Sequence, residues 1–371
     1  MELSYPHFSI AKVLTRIVVI YALFLCGPLC IQAAAQAASA APVPSPAPTT
    51  AAFPSQLRKT VVFIQTDCLH RPTAEELQKM SQPEREAWAP EAIEKLKPAE
   101  LAKLPQDHHS GTGFIVIVPD DRAGKDAGFR YLVTNRHVAQ PGIEDGKPCK
   151  VLNYSILMNH KGTHSDATLH MKVAESSLLN WQFPDDQSVD LAFVPFSPPV
   201  NEWDSLAIPL DMCITKQMVE GGQVVEGDPV IFAGLFVQYA GSSRLEPIVR
   251  SGTIAMIPTD QVTTTLQKLG RIYLAEVHAF GGNSGSPIFA DINKFKTGIG
   301  YDYKLLGVVS GEVYEQNDFT IRTASSYTAS LNANSDISMI VPADEVKNLL
   351  LAPGPQKERD DYVKAHPLAT Q

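Results

Sequence analysis

From residue 110 onward, short apolar runs alternate with turn-forming residues along the chain. Examples are GTGFIVIV at 111–118, LAFVPF at 191–196 and LLGVVSGEV at 305–313, with Gly, Pro, Asn and Asp between the runs. An earlier β-branched run, RKTVVFIQT at 58–66, predicts the first strand. Many short strands with regular turn signals are typical of a sandwich or barrel. The pattern therefore predicts an all-β fold, with helical periodicity confined to 70–107 and 343–351.

The stretch 70–107 interrupts the early strands with a different pattern. Thr73 with Glu76, and Ser81 with Glu84, have the spacing of capping boxes, and prolines fit near the starts of short helices. We expect a short α-helical insert of two to four helices. Two interpretations stay open, a surface decoration and a lid or regulatory arm, and the first is favoured because surface connections tolerate insertions.

The N-terminus has the layout of a secretory signal. Lys12 and Arg16 precede an apolar run at 17–31, and small residues suited to cleavage follow, for instance after Ala35 or Ala37. The alternative, a membrane anchor, is disfavoured because a spanning helix needs about 20 apolar residues. We therefore predict a signal peptide at 1–37, a Pro/Ala-rich linker at 38–56, and no stable membrane insertion after cleavage. The polar C-terminal tail at 351–371 is expected to be frayed.

Charge and cysteine content narrow the function classes. A formal net charge of −9 argues against a nucleic-acid partner. The leader contains two of the five cysteines, so Cys68, Cys149 and Cys213 remain, and any one pair could be bridged in an exported protein. Histidines at 160, 164 and 170 with an aspartate at 166 lack an established ligand spacing, and a solvated loop is favoured. We predict no metal and no cofactor.

Candidate chemistry centres on a glycine-rich stretch, AFGGNSGSPIF at 279–289, which contains Ser284. Glycines on both sides of a serine let backbone N–H groups and the hydroxyl point into the same space, as acyl transfer requires. Upstream, VTNRHV at 133–138 places His137 at the end of an apolar strand, and SVDLAFV at 188–194 places Asp190 at the start of another. Asp185 and Asp186 are rival acids, and Asp190 is preferred because the apolar strand after it can bury the carboxylate.

These motifs, in the order His, Asp, Ser, resemble the chymotrypsin-fold (trypsin-like) serine proteases, particularly the bacterial exported type near HtrA. The resemblance runs through about 59–350 outside the helical insert, with too few residues after 350 for the PDZ domain usual in HtrA-type enzymes. It implies two Greek-key six-stranded β-barrels packed together, with the active site in the cleft. The N-terminal barrel, 57–200, would carry the His and Asp, and the C-terminal barrel, 201–350, would carry the Ser.

The resemblance also implies roles for individual residues. Ser284 would be the nucleophile, His137 the general base and Asp190 the group that orients the imidazole. Backbone N–H groups of Gly282 and Ser284 would form the oxyanion hole. Asn283 stands where family members activated by cleavage usually carry an Asp, so we expect no zymogen switch of the trypsin kind.

Substrate-binding residues follow from the same resemblance. Val309, Ser310 and Gly311 would belong to an edge strand that pairs with an extended peptide. His278, six residues before the serine, stands at the position of the pocket base, although an ordinary scaffold role is favoured for it. Because no Asp occupies that position, we expect no trypsin-like preference for Arg or Lys.

The resulting prediction is an exported serine endopeptidase, periplasmic or secreted, that hydrolyses polypeptides through an acyl-enzyme intermediate. An α/β-hydrolase is disfavoured because the order of the three residues and the Gly-x-Ser-x-Gly spacing both fail. A catalytically inactive homologue that acts as a peptide- or surface-binding module is the main alternative, and a structural envelope protein is a third. The sequence leaves the oligomeric state open.

Overall fold

The computed structural model describes residues 53–124, 127–143, 146–161, 168–172, 179–241, 244–293, 302–322 and 326–367. The predicted signal peptide and nearly all of the predicted linker lie outside the described residues. A short helix, α1 (Phe53–Thr60), opens the described chain, so the first strand begins at Val61 and not at residue 58. Leu57 of this helix is buried in the core.

The N-terminal half forms an antiparallel sheet in which six strands follow the order β5-β4-β1-β2-β3-β6. A seventh short strand, β7, pairs in parallel with β2 among the described residues. Their bounds are β1 (Val61–Leu69), β2 (Gln106–Pro119), β3 (Gly128–Thr134), β4 (Val151–Asn159), β5 (Thr168–Lys172), β6 (Ala192–Pro195) and β7 (Ile208–Pro209).

The C-terminal half closes into a six-stranded barrel of order β12-β15-β14-β13-β8-β9. Its strands are β8 (Pro229–Gly234), β9 (Ile248–Met256), β12 (Tyr273–Glu276), β13 (Pro287–Asp291), β14 (Tyr303–Arg322) and β15 (Ser326–Pro342). Outside the barrel lie α7 (Lys216–Glu220) and the small pair β10 (Val262–Thr263) and β11 (Leu269–Gly270). The predicted all-β fold class is confirmed.

One hydrophobic cluster joins the two halves. It contains Phe63 and Phe193 from the N-terminal sheet together with Phe289 and Leu305 from the C-terminal barrel, all at most 2% exposed. Each half also has a cluster of its own. Burial of an aromatic side chain contributes about 1.5–3 kcal/mol, so this shared cluster holds the halves together and fixes the cleft between them.

Four short helices occupy the insert between β1 and β2: α2 (Ala74–Lys79), α3 (Gln82–Ala87), α4 (Pro90–Glu94) and α5 (Pro98–Leu101). Capping boxes form at Thr73–Glu76 and Ser81–Glu84, as the spacing predicts. Ile93 and Leu101 pack with Leu69 in a small separate cluster. The insert therefore packs against the sheet through its own small apolar cluster.

The fold decides the disulfide pairing that the sequence leaves open. A disulfide links Cys68 at the end of β1 to Cys149, across 81 residues of sequence. Cys213 is free and buried, and burial raises the pKa of its thiol to about 12, so it stays protonated at neutral pH.

The C-terminal segment departs from the expectation of a frayed tail. After α8 (Ala343–Leu350), residues form a second helix, α9 (Pro353–Ala365). Arg359 of α9 is 2% exposed and donates to the Tyr131 hydroxyl at 3.0 Å and to the Leu350 carbonyl at 2.9 Å. This buried arginine, the Arg122–Asp360 ion pair and the packing of Tyr362 against Phe129 together hold a helix whose sequence is largely polar. None of the helices in the described residues is long and apolar enough to cross a membrane.

Candidate active site

His137 is positioned by the end of β3 and a one-turn helix, α6 (Arg136–Ala139). Thr134, the last residue of the strand, donates its hydroxyl to the Thr112 carbonyl at 2.7 Å. Asn135, fully buried, donates its side-chain amide to the Asp190 carbonyl at 2.8 Å. These bonds tie the turn to both neighbouring strands, so the imidazole, 20% exposed, is presented at the cleft.

Asp190 lies directly against this turn and is 1% exposed. Its Oδ2 is 2.7 Å from His137 Nδ1, and its Oδ1 accepts the His137 backbone N–H at 3.1 Å. Asp186 has a structural role, because its Oδ1 accepts the Ser188 N–H at 2.8 Å and stabilises the loop. Of the candidate acids, the structure places Asp190 beside the imidazole, and the buried residues after it hold the carboxylate in position.

Two hydroxyls complete the surroundings of Asp190. Ser310 Oγ is 2.6 Å and Thr265 Oγ1 is 3.0 Å from Oδ2, and the two hydroxyl oxygens are 2.7 Å apart. Burial opposes the charged form, yet His137 and the Ser310 hydroxyl outweigh it, so the pKa of Asp190 is lowered from its ordinary value. The carboxylate is therefore ionised at neutral pH and has the charge needed to stabilise an imidazolium.

The loop carrying Ser284 begins with a tight turn. The Asn283 N–H donates to the Phe280 carbonyl at 2.9 Å, and Gly282 has a φ of +97°, the signature of a type II turn. Gly285 follows with a φ of +87°, and a Cβ there would lie 1.8 Å from the Thr112 carbonyl oxygen. Glycine is required at 285 because the loop passes so close to β2 at this point.

Within the part of the chain that the structure describes, the backbone N–H groups of Gly281, Gly282 and Ser284 in this loop have no backbone acceptor. Asn283, between Gly282 and Ser284, is fully buried. Its Nδ2 donates to the Leu235 carbonyl at 2.6 Å and its Oδ1 accepts the Phe280 N–H at 2.9 Å. The side chain thus fixes the loop without a charged partner.

His137 and Ser284 line the same cleft, a cavity of about 420 Å³. The other described residues around it are Thr265, Gln267, Phe280, Gly281, Ser310, Gly311, Glu312, Tyr314 and Met339. A smaller cavity of about 100 Å³ lies on the other side of the same two residues and is lined by His109, Ser110 and Gly111 among others. A chain crossing both cavities would pass directly over Ser284.

The predicted substrate-binding residues have different environments. Val309 is 1% exposed, and its C=O and N–H bond to Gly285 and Ser286 at 2.8 and 2.9 Å, so it supports the serine loop. Ser310 turns its side chain to Asp190, and its carbonyl accepts the Ser284 hydroxyl at 3.3 Å. Gly311 lines the cleft.

His278 does not lie among the described residues that line the cleft. Its Nδ1 contacts Asp336 Oδ1, and its ring packs edge-on against Phe280 with centroids 4.2 Å apart. The structure therefore places it against Phe280, which lines the cleft, and outside the set of residues that line the cavity.

Sequence reasoning missed three contributors. The Thr112 hydroxyl donates to the Gly282 carbonyl at 2.7 Å and accepts the Leu235 N–H at 2.8 Å, which links β2 to the serine loop. Thr265 reaches Asp190 from a connection 75 residues away, and no local signal marks it. Glu312 follows the predicted peptide-binding segment by one residue, and its charge in an apolar run was the available signal.

No group of three or more His, Cys, Asp or Glu side chains is arranged for a metal ion within the described ranges. The His160 ring instead lies against Trp203, with centroids 5.3 Å apart. Positions 164 and 166 of the same loop are outside the described residues.

Comparison with known proteins finds no matching family model. No curated protein matches either. Among solved structures, Deg5 aligns at 12% identity over 79% of this chain and 88% of its own, with a TM-score of 0.40. An inactive form of the Rv3671c protease of M. tuberculosis H37Rv aligns at 17% identity over 84% and 98%, with a TM-score of 0.36.

A third solved structure, the HtrA-type protease AlgW with a decapeptide, aligns at 12% identity over 82% and 73%, with a TM-score of 0.38. Of these structures, Rv3671c is a protease and AlgW is an HtrA-type protease. Similarity of this degree carries no information about activity, and the all-β architecture rests on the strand pairing described above.

Proposed function

We propose that the protein is a serine endopeptidase that uses Ser284, His137 and Asp190. The observation that carries the proposal is the 2.7 Å contact between His137 Nδ1 and the buried Asp190 Oδ2, with Ser284 lining the same cleft. Such a carboxylate fixes the tautomer in which Nδ1 carries the proton, so that the unprotonated Nε2 can act as a base.

The chemistry follows from these groups. As Ser284 Oγ attacks a peptide carbonyl, its proton passes to His137 Nε2 and the ionised Asp190 stabilises the imidazolium. The N–H groups of Gly282 and Ser284 stabilise the oxyanion that forms on the attacked carbonyl. Collapse expels the amine, which takes the proton from His137 and leaves an acyl-enzyme. Water, deprotonated by the same imidazole, then hydrolyses the ester.

The protein is expected to act without an internal cleavage. In a protease that needs one, a freed amine pairs with an acidic residue to order the serine loop. Here the buried Asn283 holds the loop through two neutral hydrogen bonds. Intact mature protein should therefore be active, and activity that arises only after an internal cut would contradict this part of the proposal.

Export through a cleaved leader is part of the proposal. The Cys68–Cys149 disulfide supports it, because disulfides persist in oxidising compartments and are rare in the cytosol. Cell fractionation combined with N-terminal sequencing tests it. We expect the protein outside the cytoplasm with a start after position 35 or 37, and an uncleaved cytosolic protein would refute export.

A fluorophosphonate probe tests the enzymatic proposal directly. Purified mature protein should become labelled, and Ser284→Ala should abolish both labelling and peptide hydrolysis. Ser251→Ala, an exposed serine on β9, is the matched control and should behave as the unaltered protein. A folded protein that never labels would favour the inactive binding module, whereas labelling that survives Ser284→Ala would assign another nucleophile.

A further inference from the structure

Glu312 is an acidic side chain in the wall of the cleft. It lies on β14, two residues after Ser310, and lines the same cavity as Ser284, Phe280 and Met339. The ladder between β13 and β14 ends at Val308 and Val309 bonds to the serine loop, but within the described residues that loop makes no backbone hydrogen bond to Gly311 or Glu312. A substrate segment next to Ser284 would therefore meet the Glu312 carboxylate.

The hydrogen-bond partners of this carboxylate are neutral. Asn334 Nδ2 donates to Oε2 at 2.8 Å, and the Tyr314 hydroxyl also interacts with it. Burial raises the pKa of Glu312 above its ordinary value, and Tyr314 and the charges of His278 and Arg250 offset the burial only in part. A half-buried carboxylate of this kind gains free energy when a cation binds beside it.

Arg250 and His278 act on Glu312 through their charge, and each also makes another contact. The Arg250 guanidinium lies over the Phe280 ring, 4.7 Å from its centroid, and His278 contacts Asp336. Within the described residues, no basic group lies at ion-pair distance from Glu312. The carboxylate is therefore available to a ligand.

The shape and lining of the cleft favour a long basic side chain. Phe280 and Met339 offer apolar surface for an aliphatic stem, and the carboxylate of Glu312 offers an acceptor for the charged end. An acidic side chain in the same cavity would place two negative charges together.

We propose that Glu312 sets substrate specificity by pairing with a Lys or Arg side chain next to the scissile bond. The proposal rests on the proposed peptidase function and names its substrate class. It reverses the expectation drawn from position 278, because the acid comes from β14 and not from position 278.

A cleavage profile on a randomised peptide library tests the proposal, with unaltered protein, Glu312→Gln and Glu312→Lys compared. Glu276→Gln, an exposed glutamate on β12, is the matched control. We expect enrichment of Lys and Arg at one position flanking the cut in the unaltered protein and in the control. Glu312→Gln should lower kcat/KM for basic peptides by roughly 10- to 100-fold relative to neutral ones, and Glu312→Lys should shift the preference to acidic side chains.

Fluorophosphonate labelling of each variant separates the two proposals. If all variants label at Ser284 and no basic preference exists, or if it survives in Glu312→Gln, the role of Glu312 is refuted while the peptidase function stands. If the folded unaltered protein does not label, the peptidase function itself fails, and the specificity proposal fails with it.

Discussion

Replacing Asp190 by asparagine tests the arrangement of the site most directly. The carboxylate Oδ1 accepts the His137 backbone N–H, and Oδ2 faces the imidazole and two hydroxyls. In Asp190→Asn, one of these oxygens becomes an amide group that can only donate. At the Oδ1 position it would face a backbone N–H that cannot turn away, so the amide should occupy the Oδ2 position.

An amide at the Oδ2 position reverses the imidazole tautomer. His137 Nδ1 must then accept, its proton moves to Nε2, and no base faces Ser284. Replacement of the acid by its amide in such a triad lowers kcat by about 10⁴-fold, which corresponds to about 5.5 kcal/mol in the barrier. The Ser310 and Thr265 hydroxyls can rotate to accept from the amide, so the fold should persist.

The assay compares kcat/KM for a fluorogenic peptide and the rate of fluorophosphonate labelling, with circular dichroism to verify folding. Ser310→Ala is a milder substitution for comparison. It removes one hydrogen-bond donor to Asp190 and raises the pKa of Asp190, but the carboxylate keeps its charge at pH 7. Ser310→Ala should therefore lower kcat/KM less than Asp190→Asn does. A folded Asp190→Asn protein that keeps more than about a tenth of the activity would refute the tautomer argument.

The pH dependence of stability provides a second test of the role of the Asp190 carboxylate. Because the folded-state pKa of Asp190 is lowered, its carboxylate favours folding at pH values above its unfolded pKa. This contribution is lost as the pH falls through the folded value, below about pH 4. Acid unfolding of the unaltered protein should therefore include a loss of stability that Asp190→Asn lacks, and identical profiles would contradict it.

Two further substitutions test the serine loop. Asn283→Asp replaces the donor to the Leu235 carbonyl with a buried charge, and should lower both activity and the free energy of unfolding, the latter by about 1–3 kcal/mol in urea titrations. A gain of activity would show that an acid is tolerated there. Gly285→Ala places a Cβ 1.8 Å from the Thr112 carbonyl oxygen and should cost about 1–3 kcal/mol and most of the labelling by fluorophosphonate. Gly354→Ala, on α9 and not among the cleft residues, has open space around its Cβ and is the control, and equal effects at both positions would refute the argument from close approach.

Local pattern was sufficient for the parts of the protein in which neighbouring residues decide the structure. Alternating apolar runs predicted the strands, and capping boxes predicted the insert helices, because both depend on residues within a few positions of each other. The order and context of His137, Asp190 and Ser284 were also readable, since each lies beside an apolar strand. The polar composition of α9 was misleading, because the buried Arg359 and contacts with residues distant in sequence hold that helix.

Tertiary structure decided everything that depends on residues far apart in sequence. Thr265 and Ser310 meet Asp190 from 75 and 120 residues away, and Cys68 pairs with Cys149 from 81 residues away. Glu312 lies in the cleft on a strand paired with β15, and His278 contacts Asp336 from 58 residues away, so their positions also depended on the tertiary structure. The sequence thus determined which chemical groups the site could contain. Barrel closure and the packing of the two halves determined which of them face each other, because hydrogen bonds and charge interactions depend on separations of a few ångströms.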